Sequence, residues 1–225
     1  MISQIINACL VNLQYRRFDV NGDACIQPLQ EKLLAQAAIE LIVGAFTRAG
    51  LRRDAMGRYL DENGDLAANA QSNDAHSSRE LPFAQPTLAS FAASRGDITL
   101  MRWLQQQGAD MARASHAHST MHIAAEYGNT EMIDFLHGVG VDINQRAYAG
   151  ESDMYVGDIL PVHTPLHRAI RFGSVVAARH LLRLGAQLSP EYLPMKCFYE
   201  VVEWSIQARQ VFEKVLGRTL LQMQR

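Results

Sequence analysis

Apolar residues in the first fifty positions recur at helical spacing. Ile2, Ile5, Ile6, Cys9, Leu10 and Leu13 mark one face, and Leu33, Leu34, Ala37, Ile39, Leu41, Ile42 and Phe46 mark a longer helix. Residues 1–60 therefore read as helical. The run Tyr59-Leu60-Asp61-Glu62-Asn63-Gly64-Asp65-Leu66 reads as the close of a repeated unit, because Leu60 precedes Gly64 as Leu104 precedes Gly108. Residues 67–85 are polar and rich in Ser, Asn and Ala, which suits a connection. After Ser189-Pro190 two more helices are expected. One lies around 192–205, with Phe198, Val201, Val202 and Trp204 apolar, and one around 207–222, with Val211, Phe212, Val215, Leu216 and Leu220. Glu203, Gln207, Arg209, Lys214 and Arg218 give this end a polar outer face.

Between these ends the pattern repeats. One segment reads Ala92-Ala93-Ser94-Arg95-Gly96, then Met101, Leu104 and Gly108-Ala109-Asp110-Met111. A second reads His122-Ile123-Ala124-Ala125-Glu126-Tyr127-Gly128, then Ile133, Leu136 and Gly140-Val141-Asp142-Ile143-Asn144. A third reads His167-Arg168-Ala169-Ile170-Arg171-Phe172-Gly173, then Ala178, Leu181 and Gly185-Ala186-Gln187-Leu188. In each, the second glycine follows the first by 12 positions. Each segment encodes two short helices. Gly96, Gly128 and Gly173 stop the first, and Gly108, Gly140 and Gly185 stop the second, at a position that commonly needs positive φ. The alanine pairs let neighbouring helices approach closely. In Thr164-Pro165-Leu166-His167, Thr164 can cap a helix and Pro165 fits its first turn, where no amide donor is needed. His122 and His167 share one position and are expected to bond turn backbone. One such unit cannot bury its apolar side alone, so about three or more must stack.

These residues resemble the ankyrin repeat, over roughly residues 85–190. The third segment carries the full opening motif, the second has Ser119-Thr120-Met121-His122, and the first has Thr87-Leu88-Ala89-Ser90 in its place. The resemblance implies an all-α fold: an ankyrin-repeat solenoid of stacked helix-turn-helix units with helical N- and C-terminal caps. Residues 1–66 are expected to form the N-terminal cap, as degenerate repeats or as a separate helical domain. The connection 67–85 follows. Repeats fall at about 86–115, 118–145 and 163–189 within 86–190, and 191–225 form the C-terminal cap. It also implies a protein-binding module rather than an enzyme.

Composition narrows this reading. The net charge of −2 argues against bulk binding to nucleic acid or an anionic membrane. No uncharged stretch is long enough to span a bilayer, and the start lacks the pattern of a secretion signal. Cys9, Cys25 and Cys197 are far apart and lack metal spacing, so they read as reduced core thiols of an intracellular, cytoplasmic protein. Only Lys32, Lys196 and Lys214 among the 21 basic residues are lysine, a bias that fits a GC-rich, bacterial genome.

The candidate contacts are of two kinds. Gly96 to Gly128 is a step of 32 residues and Gly128 to Gly173 one of 45, so about a dozen residues are inserted within 145–163. Insertions between repeats map to turns on one face. This one offers Tyr148, Glu151, Asp153, Tyr155 and Asp158, an aromatic and acidic set suited to a protein interface. The residues ahead of the turn glycines, Arg95, Glu126, Tyr127, Arg171 and Phe172, are expected to line an inner, concave side. Arg113, His116 and His118 sit at a turn tip and join the partner-binding set. No metal or cofactor is expected, since His122 and His167 are repeat positions and His116, His118 and His163 lack a ligand set. Two stretches resemble the opening of a calcium loop, at Asp19 and Asp61. Their sixth positions hold Ala24 and Leu66 and their twelfth Gln30 and Ser72, where glycine and glutamate are needed, so both read as helix-ending turns. No nucleophile elbow or phosphate loop appears.

The resulting expectation is a monomer, or one member of a hetero-complex, that binds a single protein partner and neither nucleic acid nor membrane. An inhibitor or immunity protein against a bacterial toxin is the narrower reading. A bacterial effector that binds host proteins, and an enzyme with an N-terminal catalytic region, stay open as rivals.

Overall fold

The computed structural model describes residues 1–15, 28–72, 86–113, 119–146 and 164–187; for residues 14–15, 28–33 and Arg171 it describes the backbone alone. The chain divides into two compact units, Met1–Ala93 with Asp97–His116, and Ser94–Gly96 with Ala117–Arg225. The expected elements at 192–205 and 207–222 lie outside the described residues.

In the first unit, α1 (Ile2–Tyr15) packs on α2 (Pro28–Arg48), and α2 packs on α4 (Ile98–Gln106). Helix α1 buries the expected stripe: Ile2, Ile6, Cys9, Leu10 and Leu13. Burial pushes the Cys9 thiol up to about 11, so it stays protonated and inert at neutral pH. Helix α2 buries Ala35, Ala38, Ile42 and Phe46, a narrower stripe than the sequence suggests, and leaves Leu34 at the surface. The expectation of helix through residue 60 fails after Arg48. A hairpin follows, with β1 (Arg52–Arg53) paired antiparallel to β2 (Tyr59–Leu60). Its turn is held by Asp54, whose Oδ1 accepts the amides of Met56 and Arg58, each at 2.9 Å. Leu60 is thus a strand residue, and the turn at Gly64 closes a strand rather than a helix. Asp61 Oδ1 is spent on that turn, accepting from the amides of Asn63 at 2.8 Å and Asp65 at 2.9 Å. A short 3-10 helix (Ala67–Asn69) leads on, and α3 (Leu88–Arg95) and α4 form the first helix pair.

The second unit holds two further pairs: α5 (Thr120–Glu126) with α6 (Thr130–Gly138), and α7 (Pro165–Arg171) with α8 (Val175–Arg183). First helix packs on first helix (α5 on α7) and second on second (α6 on α8). Ala124, Ala125 and Ala169 are fully buried, and their small volume permits that approach.

All six repeat glycines have positive φ. The residue after each donates its amide to the carbonyl five positions back, at 2.8–3.0 Å, from Asp97 to Ala92 through Ala186 to Leu181. This closure satisfies carbonyls that a helix end otherwise orphans. Two of these glycines differ in a testable way. A Cβ on Gly108 would come within 2.8 Å of Leu66 Cδ1 and 3.1 Å of Arg58 Nη1, whereas one on Gly140 meets nothing within 4 Å. Gly140→Ala should cost about 1–2 kcal/mol for the left-handed backbone. Gly108→Ala should cost more, because Leu66 must also shift. Urea unfolding of the two variants measures the difference, and equal costs would refute the close packing at Gly108.

The three helix starts share one device. Thr164 N–H donates to His167 Nδ1 at 3.3 Å with the Thr164 hydroxyl 2.8 Å from the same atom, and Ser119 and His122 repeat the pair at 3.4 and 2.7 Å. In the first repeat Ser90 stands in for histidine. Thr87 N–H donates to Ser90 Oγ at 3.0 Å and Ser90 N–H to Thr87 Oγ1 at 3.1 Å. The histidines therefore bond the start of their own helix, which is a capping box with imidazole in place of the usual carboxylate.

Candidate functional site

Polar bonds recur with the repeat and fix the turn ends. Asp97, Asn129 and Ser174 each follow a turn glycine. Asp97 caps its own helix, accepting from Leu100 N–H at 2.9 Å. Asn129 Nδ2 instead donates back to the Ser94 carbonyl at 3.1 Å, and Ser174 Oγ donates to the Glu126 carbonyl at 2.7 Å. Ser94 and Glu126 are the same repeat position, so one bond is made twice. At the other end, Asn144 Oδ1 accepts from Gln187 N–H at 2.8 Å, and Asn69 Oδ1 accepts from Asp110 N–H at 2.7 Å. Gln187 and Asp110 each lie two residues beyond a helix-ending glycine, so this bond is also made twice.

On this frame two aromatic rings stand at the surface. Tyr127 is 42% exposed and Phe172 is 47% exposed, each the last residue before a turn glycine. Beneath Phe172 lies Arg168, whose guanidinium is 4.7 Å from the ring centroid. Arg168 Nε is 2.8 Å from Glu126 Oε2, and the two side chains are only 4% and 7% exposed. This is a buried ion pair between consecutive repeats. His180 Nε2 and Asp134 Oδ1, 2.6 Å apart, link α8 to α6 nearer the solvent.

The expected contact residues divide accordingly. Tyr127 and Phe172 are exposed rings in register. Glu126 shares their edge, but its carboxylate is turned into the ion pair with Arg168. Arg95, half-buried, ends α3 at the matching position. Arg171 ends α7, and its side chain is not described. Arg113 is exposed and belongs to the first unit. His116, His118, Tyr148, Glu151, Asp153, Tyr155 and Asp158 lie outside the described residues, as does most of the 145–163 insertion.

Sequence reasoning missed Arg168. A signal was present: its repeat position holds Phe91 and Ile123 in the other two units, both buried. A charge at a core position requires a counter-charge within reach, and Glu126 is the acidic residue one repeat earlier. Buried in the capping box, His167 has its pKa pushed down to about 4 by loss of hydration, so its ring is neutral at physiological pH. Among the described residues, His, Cys, Asp and Glu form no group of three or more that could hold a metal. No helix among them is long and apolar enough to cross a membrane.

No curated protein matches the chain. Residues 89–191 match the family model for ankyrin repeats, in three copies. All six closing glycines and the capped starts at Ser119 and Thr164 fall within that span, and α3 begins one residue before it. Residues 89–191 are ankyrin repeats, and such repeats mark that segment as a protein–protein interaction module.

Proposed function

We propose that the chain acts without catalysis, by occupying a surface of one protein partner. The proposed contact residues are Arg95, Tyr127 and Phe172 on successive repeats, together with those of the insertion within 145–163. The observation that carries this reading is the pair of half-exposed rings at one repeat position. Large aromatic groups held on a rigid frame are the usual anchors of protein interfaces, because little entropy is lost when they bind. In this reading the chain is intracellular and monomeric and joins a hetero-complex. Helices α1 and α2 serve as its N-terminal cap. The packing of α2 on α4 and the Asn69 bond, which repeats that of Asn144, support such a cap. The acidic, tyrosine-bearing insertion suits a basic cleft, which favours an inhibitor of a nuclease-like toxin as the narrower role.

Affinity capture from native lysate tests the surface. Tyr127→Ala/Phe172→Ala should reduce recovery of the specific partner by about 10-fold or more, as expected for loss of two anchors. Tyr148→Ala/Tyr155→Ala tests the insertion in the same way. Equal recovery by wild type and both variants would contradict the assignment.

A further inference from the structure

We infer that Arg168 and Glu126 are positioning residues for Phe172. They form a charged plate that holds its exposed ring in one orientation, ready for the partner. The inference rests on the reading of Phe172 as a contact residue.

The argument starts from an unfavourable choice. The position of Arg168 is filled by Phe91 and Ile123 in the neighbouring units, and both serve as ordinary core residues. Burying a guanidinium and a carboxylate strips both of hydration, a loss that their attraction offsets only in good geometry. An apolar residue would fill the site as well or better. What the pair adds is direction. Arg168 is four residues before Phe172, so helical spacing sets its side chain under the ring. The guanidinium is planar and is drawn to the ring face, with its carbon 4.7 Å from the centroid. It cannot swing away, because Glu126 Oε2 holds its Nε at 2.8 Å. The Glu126 backbone is anchored as well, since its carbonyl accepts the Ser174 hydroxyl at 2.7 Å. The chain from Ser174 to Glu126 to Arg168 to Phe172 therefore closes on itself across the turn at Gly173. A half-exposed phenylalanine on a turn would otherwise sample several rotamers, and binding would have to select one.

Tyr127 supplies an internal control. It occupies the same repeat position and is similarly exposed, but Ile123 stands four residues before it. The two rings thus differ in the residue four positions earlier, Arg168 for Phe172 and Ile123 for Tyr127.

The test uses the full chain and needs no partner. Three-bond carbon–carbon and nitrogen–carbon couplings report the χ1 populations of Phe172 and Tyr127 by NMR. In wild type, Phe172 should show the couplings of a single staggered rotamer. In the double variant Glu126→Ser/Arg168→Ile, which borrows the residues of Ser94 and Ile123, Phe172 couplings should move to rotamer-averaged values while those of Tyr127 stay unchanged. A folded double variant with unaltered Phe172 couplings would overturn the inference and leave the pair a structural bond only. Phe172→Leu, at an exposed site, gives a second reading. The Arg168 side-chain protons should be shifted upfield in wild type and lose that shift in this variant. Absence of any change there would also overturn it. Phe172 can be held rigid and yet prove dispensable in the capture assay. That result would remove the proposed contact surface and leave the plate standing, so the two failures are distinguishable.

Discussion

Truncating Arg168 to alanine should lower stability by about 3–5 kcal/mol, the expected cost of leaving the Glu126 carboxylate buried without its counter-charge. Both side chains are almost fully enclosed, so solvent screening, which reduces surface pairs to about 1 kcal/mol or less, does not apply. Glu126→Ala should cost a similar amount, because it strands the guanidinium instead. The double replacement Glu126→Ser/Arg168→Ile should recover most of the loss. It removes both charges together and restores residue types that the neighbouring repeats already use. Urea unfolding of these proteins, with Glu126→Ser and Arg168→Ile added as the matching single variants, gives the coupling energy. Single variants that each lose less than about 1 kcal/mol would show that the pair is hydrated in solution.

The second large effect concerns pH. His167 has its folded pKa depressed to about 4 from an ordinary value of 6.5, and desolvation is the cause. A base depressed in this way adds stability that is fully present above the unfolded value. That stability drains as pH falls from 6.5 towards 4, where the folded form also takes up its proton. The difference corresponds to about 3 kcal/mol across the window. The structure gives a local reason. Nδ1 accepts the Thr164 amide, so adding a proton there replaces an acceptor with a donor and opens the start of α7. Unfolding measured from pH 7 to pH 4 should fall more steeply for wild type than for His167→Gln. Parallel curves for the two proteins would contradict the assignment.

The helix pairs were legible because they depend on local chemistry. A glycine that must take positive φ, a Thr-Pro helix start and buried paired alanines are each determined within a few residues. Ser90 shows how far this reaches: the capping box survives the loss of histidine because a hydroxyl can make the same two bonds. The hairpin at 52–60 was not legible. Arg52 and Arg53 lack the alternation of a half-buried strand, and its geometry is set by Asp54 bonding its own turn. The Glu126–Arg168 pair was hidden for a different reason. Its members are 42 positions apart, and each looks like an exposed helical charge until the repeats are laid in register. The bonds of Asn129 and Ser174 to the preceding repeat are of the same kind. Tyr127 and Phe172 both stand directly before a turn glycine, and both rings are exposed.

Photo-crosslinking tests the proposed surface most directly. A benzophenone amino acid is placed at position 127 or 172, or at Met56, an exposed residue of the hairpin in the other unit. On irradiation in native lysate, positions 127 and 172 should each yield the same protein adduct, and position 56 should not. An adduct formed from position 56 while 127 and 172 give none would contradict the account.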